Sequence, residues 1–488
     1  MKISLDWYME GKSNVYHIRT AEQLVCLASV VNSSSDAVPR DTFHSKSIIL
    51  DNDIDMSGVG AEWIPIGTRN SAFEGLFNGN GHKVFNFEVL NPHAEMLGLF
   101  GVTGEDARIK GLSVSVNFRG ASQVAGLVAV NGGNIIQCTV SGTIVGTSAV
   151  GGISGSNTGV LRGCCNKATI KGLKYVGSMA GLNEADVGEI SDSYNLGVIQ
   201  GTTCVGGITG HNSGTSIKKC FNRGVIVVDA ENADNVESIG GISGFNNAGC
   251  LVKNCYNVAK IGSDIKYGRF IGGILGQNYG VLDNCVNQGE VVGVENVGGV
   301  AGGNHNGRVQ NCKNRGAITS KQYAGGVVAI NQSGILSTCT NSGKVFTLFA
   351  MCGGVVGYCR WGQISGSSND GEVLSSDNEF VGGVVGEVKY GTVLNCSNTG
   401  EIKGSARVGG IAGSCINRAL IDSCSNIGNI KGTRLVGGLV GVAFGDIKDS
   451  FNIGTVYGVE EFSNIVGSSE GGAVQECYST GKTLSLLM

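Results

Sequence analysis

The stretch Leu282-Asp283-Asn284-Cys285-Val286-Asn287-Gln288-Gly289-Glu290-Val291 decides the fold, because the chain repeats its grammar thirteen times. An apolar residue and two spacers lead to Cys; then Asn, Gly and finally Val or Ile follow at alternate positions. The Cys position is held by Cys138, Cys164, Ser193, Cys220, Cys255, Cys285, Cys312, Cys339, Ser367, Cys396, Cys424, Ser450 and Cys477. One repeating unit therefore runs through most of the chain.

The residue three before the Cys position is apolar in every copy, from Ile135 and Leu161 to Ile421 and Val474. Six after it stands Ile or Val in every copy except the last, which has Thr483. Upstream lies a third apolar segment, Val-Gly-Gly-Ile or a close variant, at Gly152, Gly207, Gly241, Gly273, Gly299, Gly326, Gly354, Gly383, Gly410 and Gly438. The apolar positions are β-branched, short-range and punctuated by 82 glycines, with no sustained 3.6-residue period. Each repeat buries its apolar face only by stacking on its neighbours. The expectation is an all-β chain, a parallel β-helix (β-solenoid) of about 13 coils of about 28 residues with three strands per coil. Strict strand alternation would put the apolar residue and the Cys on opposite faces, so a corner falls between them. A second corner is expected at Asn-x-Gly, through the positive φ that Asn tolerates and Gly supplies.

In such a stack like residues sit above like. The Cys column and the column Asn166, Asn195, Asn222, Asn257, Asn287, Asn314, Asn341, Asn369, Asn398, Asn426 and Asn452 become ladders, and Asn amides can hydrogen-bond from coil to coil. A second Asn column runs from Asn131 and Asn157 to Asn304 and Asn331. It lapses at Cys359, Val388, Cys415 and Ala443, where the later coils are expected to turn differently.

With 488 residues, 15% charged, three prolines and a net charge of −4, the composition is that of an ordered chain with ample core. No basic stripe recurs at the repeat period and aromatics make up 6%, which argues against nucleic-acid binding. The longest apolar runs, such as Leu435 to Phe444, are broken by glycine and too short to span a bilayer. Of the seventeen cysteines, the ten in the repeat register read as free, core-filling thiols, because stacked Cβ atoms stand about 4.8 Å apart, beyond disulfide reach. Cys26, Cys165, Cys204, Cys250, Cys352, Cys359 and Cys415 lie outside the column, with greater exposure as their expectation. Paired C-x-x-C spacing and companion histidines are absent, so neither a metal nor any other cofactor is expected.

Thr20-Ala21-Glu22-Gln23 has the form of a capping box, followed by a helical pattern at Leu24, Leu27, Ala28 and Val31. A helix there would cover the open edge of the first coil. The expected organisation is a cap over residues 1–46, irregular first coils over 47–97, solenoid repeats over 98–482 and an apolar end, 483–488, without a clear cap. That last coil could meet a partner end to end. Met1 to Tyr8 has neither a basic n-region nor an apolar h-region, which reads as a cytosolic or already trimmed chain.

Tyr16-His17-Ile18-Arg19-Thr20-Ala21-Glu22-Gln23-Leu24, Trp63-Ile64-Pro65-Ile66-Gly67, the Phe-x-Gly-x-Phe-x-Gly-x-Gly-His of Phe73 to His82, and Gly98-Leu99-Phe100-Gly101 ahead of the Gly-Gly-Ile-x-Gly units occur in this order. In them the chain resembles bacterial GLUG-motif proteins. Such repeats occur in secreted and surface proteins, including the non-catalytic part of immunoglobulin A1-specific zinc metallopeptidases. The resemblance implies an extracellular or cell-surface location and an adhesive role. No His-Glu-x-x-His occurs among the six histidines, so the peptidase activity does not carry over.

Two insertions share one edge of the repeat. Val227 to Ser238 carries Asp229, Glu231, Asp234 and Glu237; Gly262 to Phe270 carries Tyr267 beside Asp264, Lys266 and Arg269. Surface loops on a rigid scaffold are where binding residues sit, and the plainer reading is a tolerated insertion with solvated charges. Tyr175, Phe270, Tyr323 and Phe380 stand two before the Gly-Gly in four coils. They could form a stacking surface for sugar rings, or each could pack beneath a neighbouring corner. Asp283, Asp422 and Asp449 near the Cys position read as surface variation, and His211 and His305 fall too far apart to cooperate. The leading expectation is a non-catalytic, adhesin-like β-solenoid presenting an elongated face to a protein or glycan partner. The alternatives are a carbohydrate-active β-helix enzyme, for which no paired carboxylates can be placed, and a passive spacer of a larger assembly.

Overall fold

The computed structural model describes residues 5–9, 14–35, 37–59, 63–184, 187–228, 236–262, 268–376 and 379–486. The fold is an all-β parallel β-solenoid of about 16 turns. Two compact units make it up, residues 1–229 with 242–244, and residues 230–241 with 245–488.

One turn of the second unit shows the pattern. Its strands are Glu295–Gly298, Ala301–His305, Arg308–Gln310, Lys313–Asn314 and Ile318–Ser320, after which Ala324–Gly325 opens the next turn. Five short strands thus replace the expected three, because the Gly-Gly and the Asn each cut an apolar segment in two. Pairing is parallel and in register: Leu282 aligns with Val309 and Val309 with Leu336, while Asn287 aligns with Asn314 and Asn314 with Asn341. Inward columns such as Leu282, Val309, Leu336, Ile364 and Val393 are fully buried. Each such side chain stabilises the stack by roughly 1.5–3 kcal/mol.

The corner between apolar residue and Cys is set by the residue just before the Cys. It is left-handed in all thirteen copies, as at Asn284 (φ 51°), Asn311 (φ 55°), Thr338 (φ 54°) and Gly366 (φ 54°). Asn, Asp, Ser or Gly fills most of these positions because they tolerate this region best.

The corner at Asn-x-Gly has another cause. The Asn287 amide donates to Asn314 Oδ1 (2.9 Å) and to the Gly289 carbonyl (2.8 Å). Its Oδ1 accepts from Asn257 Nδ2 (2.8 Å) and from the Gly289 N–H (3.2 Å). All four hydrogen-bonding sites of the side chain are filled, and the bonds to residue 289 pull the chain out of the strand. Gly289 is not left-handed. Glycine is required by close approach: a Cβ on Gly316 would stand 1.9 Å from the Gly289 carbonyl oxygen. In the first unit Thr139–Val145 runs uninterrupted, and its partners split into Cys165–Asn166 and Thr169–Lys171 once Asn166 enters in register with Val140.

The second Asn column bonds likewise, through Asn278 to Asn304 (2.9 Å) and Asn304 to Asn331 (2.7 Å), ending on Cys359 Sγ (3.6 Å). Beyond it Cys359, Val388, Cys415 and Ala443 stay in register and fully buried. The strands of the later turns therefore stay in register, with an apolar column replacing the amides, while the corner that follows does change in two of them: after Cys415 it holds two left-handed residues, Asn417 and Arg418, and after Ala443 it holds none.

Stacking begins ahead of the thirteen copies, at Val15–Ile18, Ser47–Leu50, Leu76–Asn78 and Arg108–Lys110, which accounts for the larger number of turns. The helix Ala21–Val31 starts where the capping box places it: Thr20 Oγ1 accepts from Gln23 N (3.4 Å), and Gln23 Oε1 accepts from Arg19 N (2.6 Å). Leu24, Leu27, Ala28 and Val31 are buried, as is Val30. Asn32 ties its end to the Trp-Ile-Pro-Ile-Gly segment, donating to the Pro65 carbonyl (2.9 Å) and accepting from Gly67 N (2.9 Å). Trp7 and Tyr8 pack on Tyr16 of the edge strand, covering it.

All seventeen cysteines are free. The column is buried apart from Cys477, each thiol meeting the carbonyl two residues back, as Cys312 does with Gln310 (3.2 Å). The expected exposure of the off-column thiols holds only for Cys204; Cys26, Cys165, Cys250, Cys352, Cys359 and Cys415 fill inward or tightly flanked positions and are buried.

Candidate functional site

The left-handed corner before each Cys shapes the outer surface as well as the core. Asp283 and Val286 flank the inward Cys285 and both point away from the interior, yet they are only 7% and 8% exposed. The surface along this corner is concave. Along it runs a groove of about 620 Å³ lined by Lys253, Asp283, Asn284, Asn311, Lys313, Thr338 and Thr340.

Its floor is built by the corner residues themselves. Asn284 Nδ2 donates to Asn254 Oδ1 (2.7 Å), and Asn311 Nδ2 donates to Asp283 Oδ1 (2.9 Å). Lys253 Nζ stands 2.7 Å from Asp283 Oδ2. Burial pushes the Asp283 carboxyl up, but the bonds from Lys253 and Asn311 outweigh it and hold the group below the usual carboxylate range. Lys253 and Asp283 balance one another's charge, leaving Lys313 as the further cation of the lining. The groove thus offers amide donors and acceptors, two threonine hydroxyls and little net charge, on a backbone pinned by the ladders beneath. Such an array suits the hydroxyls of a carbohydrate chain or the polar edge of a peptide.

The residues singled out in the sequence are not gathered into this groove. Asp229, Glu231, Asp234 and Tyr267 lie outside the described residues. Glu237 Oε1 accepts from Gln277 Nε2 (3.3 Å). Tyr175 stacks on His211 (5.5 Å between centroids), Phe270 meets His305 edge-on (5.5 Å), and the Arg407 guanidinium lies 4.7 Å over the Phe380 ring. Tyr323 is half-buried. Phe270, Tyr323 and Phe380 fall in alternate turns, so the structure does not bring them side by side. Asp283, read as surface variation, is instead the balanced acid of the groove. In the sequence Asn254, Asn284, Asn311 and Thr338 mark only a corner; the run of Asn, Asp, Ser and Gly at their position is the signal that points to a polar surface there.

Among the described residues no helix is long and apolar enough to cross a membrane. The fold and its ladders define a β-solenoid repeat protein. Residues 293–319, one full turn, match the model of the GLUG motif. A protein provisionally described as a Gly-rich membrane protein, from Evansella cellulosilytica, is 29% identical over 132 residues, 26% of this chain and 14% of that protein. Halomucin of Haloquadratum walsbyi is 35% identical over 88 residues, 18% of this chain and 1% of its own length. The chain thus spans a small part of these relatives. A crystal structure provisionally described as an immunoglobulin A1 protease from Bacteroides ovatus aligns over 80% of this chain and 78% of that one, at 17% identity and a TM-score of 0.21. The fold assignment rests on the strands described above.

Proposed function

We propose that this chain is a non-catalytic binding scaffold of the cell surface or extracellular space, which holds a glycan chain along the groove at its concave corner. The observation that carries the reading is the pairing of a fixed, amide- and hydroxyl-lined groove with a charge-balanced floor. Rigid, nearly neutral polar grooves bind hydroxyl-rich ligands with little loss of conformational freedom. The surface location is supported by similarity to the two relatives, one described as a membrane protein and the other a halomucin.

The test is binding to an array of neutral glycans by the intact chain and by the double variant Asn284→Gly, Asn311→Gly. Glycine keeps the left-handed corner while deleting both amides, so the fold is retained. The expected result is retention of a neutral glycan by the native chain and at least tenfold weaker retention by the variant. No retained glycan, or equal retention by both proteins, would overturn the reading in favour of a passive spacer.

A further inference from the structure

In five successive turns the corner between the second and third strands carries its own left-handed residue. In successive turns of the second unit these are Asn306 (φ 54°), Ser333 (φ 53°), Trp361 (φ 53°), Tyr390 (φ 55°) and Asn417 (φ 54°). Asn and Ser are ordinary occupants of this region, whereas a bulky aromatic there is an outlier that the surrounding turns must hold in place. Two such outliers in adjacent turns are both about half exposed, Trp361 at 49% and Tyr390 at 45%. Their rings are nearly parallel, 14° apart, with centroids 5.7 Å apart. That separation exceeds the about 3.5–4.0 Å of direct face contact, so the rings are slid past one another and each leaves part of its face open.

The residue before each aromatic is a cation. The Arg360 guanidinium lies 3.8 Å from the Trp361 centroid, and Lys389 Nζ lies 5.8 Å from that of Tyr390. Arg360 and Lys389 are register partners, and neither forms a salt bridge among the described residues. By contrast Lys344, Lys403 and Lys431 are all paired with Glu372 or Glu401. The flanking positions in the same two turns are Gln363 and Thr392, and the nearest acid along the chain, Glu387, is 7% exposed. Strained, exposed aromatics beside two unpaired cations match a ligand with flat apolar faces and regularly spaced negative charge.

We propose that Arg360, Trp361, Lys389 and Tyr390 form a binding site for an acidic polysaccharide, its sugar rings laid on the open aromatic faces and its anionic groups held by the two cations. The site shares no residue with the groove, so either can fail without the other. Tryptophan emission reads it directly, because Trp7 and Trp63 are buried and Trp361 is the exposed indole. The intact chain is titrated with polygalacturonate, dextran sulfate, uncharged dextran and polyglutamate. Tyr390→Asn and Arg360→Gln are titrated alongside, Asn being the residue that equivalent turns already use.

The expected result is a saturable change in emission with polygalacturonate or dextran sulfate that weakens in salt, with none from dextran. Each variant should weaken it at least tenfold while leaving far-ultraviolet circular dichroism unchanged, and Asn284→Gly should not alter it. A response to only one of the two polymers would tell carboxylate from sulfate recognition. Silence with both, an equal response to dextran, an equal response to polyglutamate, or full binding by Tyr390→Asn would each overturn the proposal.

Discussion

At the scale of single residues, the ladder asparagines have no spare capacity. Asn314 accepts from Asn287 and from Gly316 N, and donates to the Gly316 carbonyl and to Asn341 Oδ1. Asn314→Asp would turn both donated bonds into contacts between acceptors in a fully enclosed site. It should cost about 3 kcal/mol or more, read as a lower urea midpoint. Gly316→Ala should cost a similar amount, because its Cβ would overlap the carbonyl beneath. Asn284→Gly should shift stability by less than about 0.5 kcal/mol, since its corner conformation suits glycine.

The thiols give a second prediction at this scale. Burial pushes Cys164 and Cys359 up to about 11 and Cys415 up to about 12. An unfolded thiol ionises near pH 8.5, so above that pH the unfolded chain releases protons that the folded chain retains. The stability these groups contribute is full below about pH 8.5 and is lost as pH rises toward their folded values, by up to about 1.4 kcal/mol per pH unit for each thiol. Denaturation midpoints measured from pH 7 to 10 should fall steadily above pH 8.5. In native protein a thiol reagent should titrate only Cys204 and Cys477 rapidly, and all seventeen cysteines in denaturant.

At the scale of the strand element, the outer face of the fifth strands carries alternating charge. Lys344 and Lys403 flank Glu372 at 2.8 and 3.0 Å, and Lys403 and Lys431 flank Glu401 at 2.9 and 3.0 Å. These pairs are a third to a half exposed, so Glu372→Gln with Glu401→Gln should lower stability by less than about 1 kcal/mol, and the difference should vanish in 1 M salt. What was legible in the sequence at this scale follows the same division between packing and surface. The apolar columns, the Cys column and the coil-to-coil amides could be placed from spacing because one turn dictates the next. The cause of the Asn-x-Gly corner could not, since close approach of a carbonyl and a positive φ both select glycine. Nor could the groove or the pair Trp361 and Tyr390, which depend on how outward residues of neighbouring turns shield one another. Repeat spacing says little about that.

At the scale of the molecule, each turn depends on its neighbours and on little else. Val292 and Thr319 are register partners, so deletion of Gly293 to Thr319 would join equivalent points of successive turns. The shortened chain should remain folded, with native-like circular dichroism and a thermal midpoint lowered by a few degrees. Deleting Gly293 to Asn306 would instead bring a second strand's end onto a fifth strand's corner, and it should abolish the cooperative transition.

Every rung of the first Asn ladder in the second unit points the same way: the amide nitrogen of the earlier turn always reaches the oxygen of the later one, from Asn257 to Asn452. Amide dipoles aligned in a file polarise one another, by about 10–30% per bond. The column therefore has a head and a tail, like an electret threaded through the protein. A turn already in place offers the next an oriented donor, so the structure can lengthen vectorially in the order in which the ribosome delivers it.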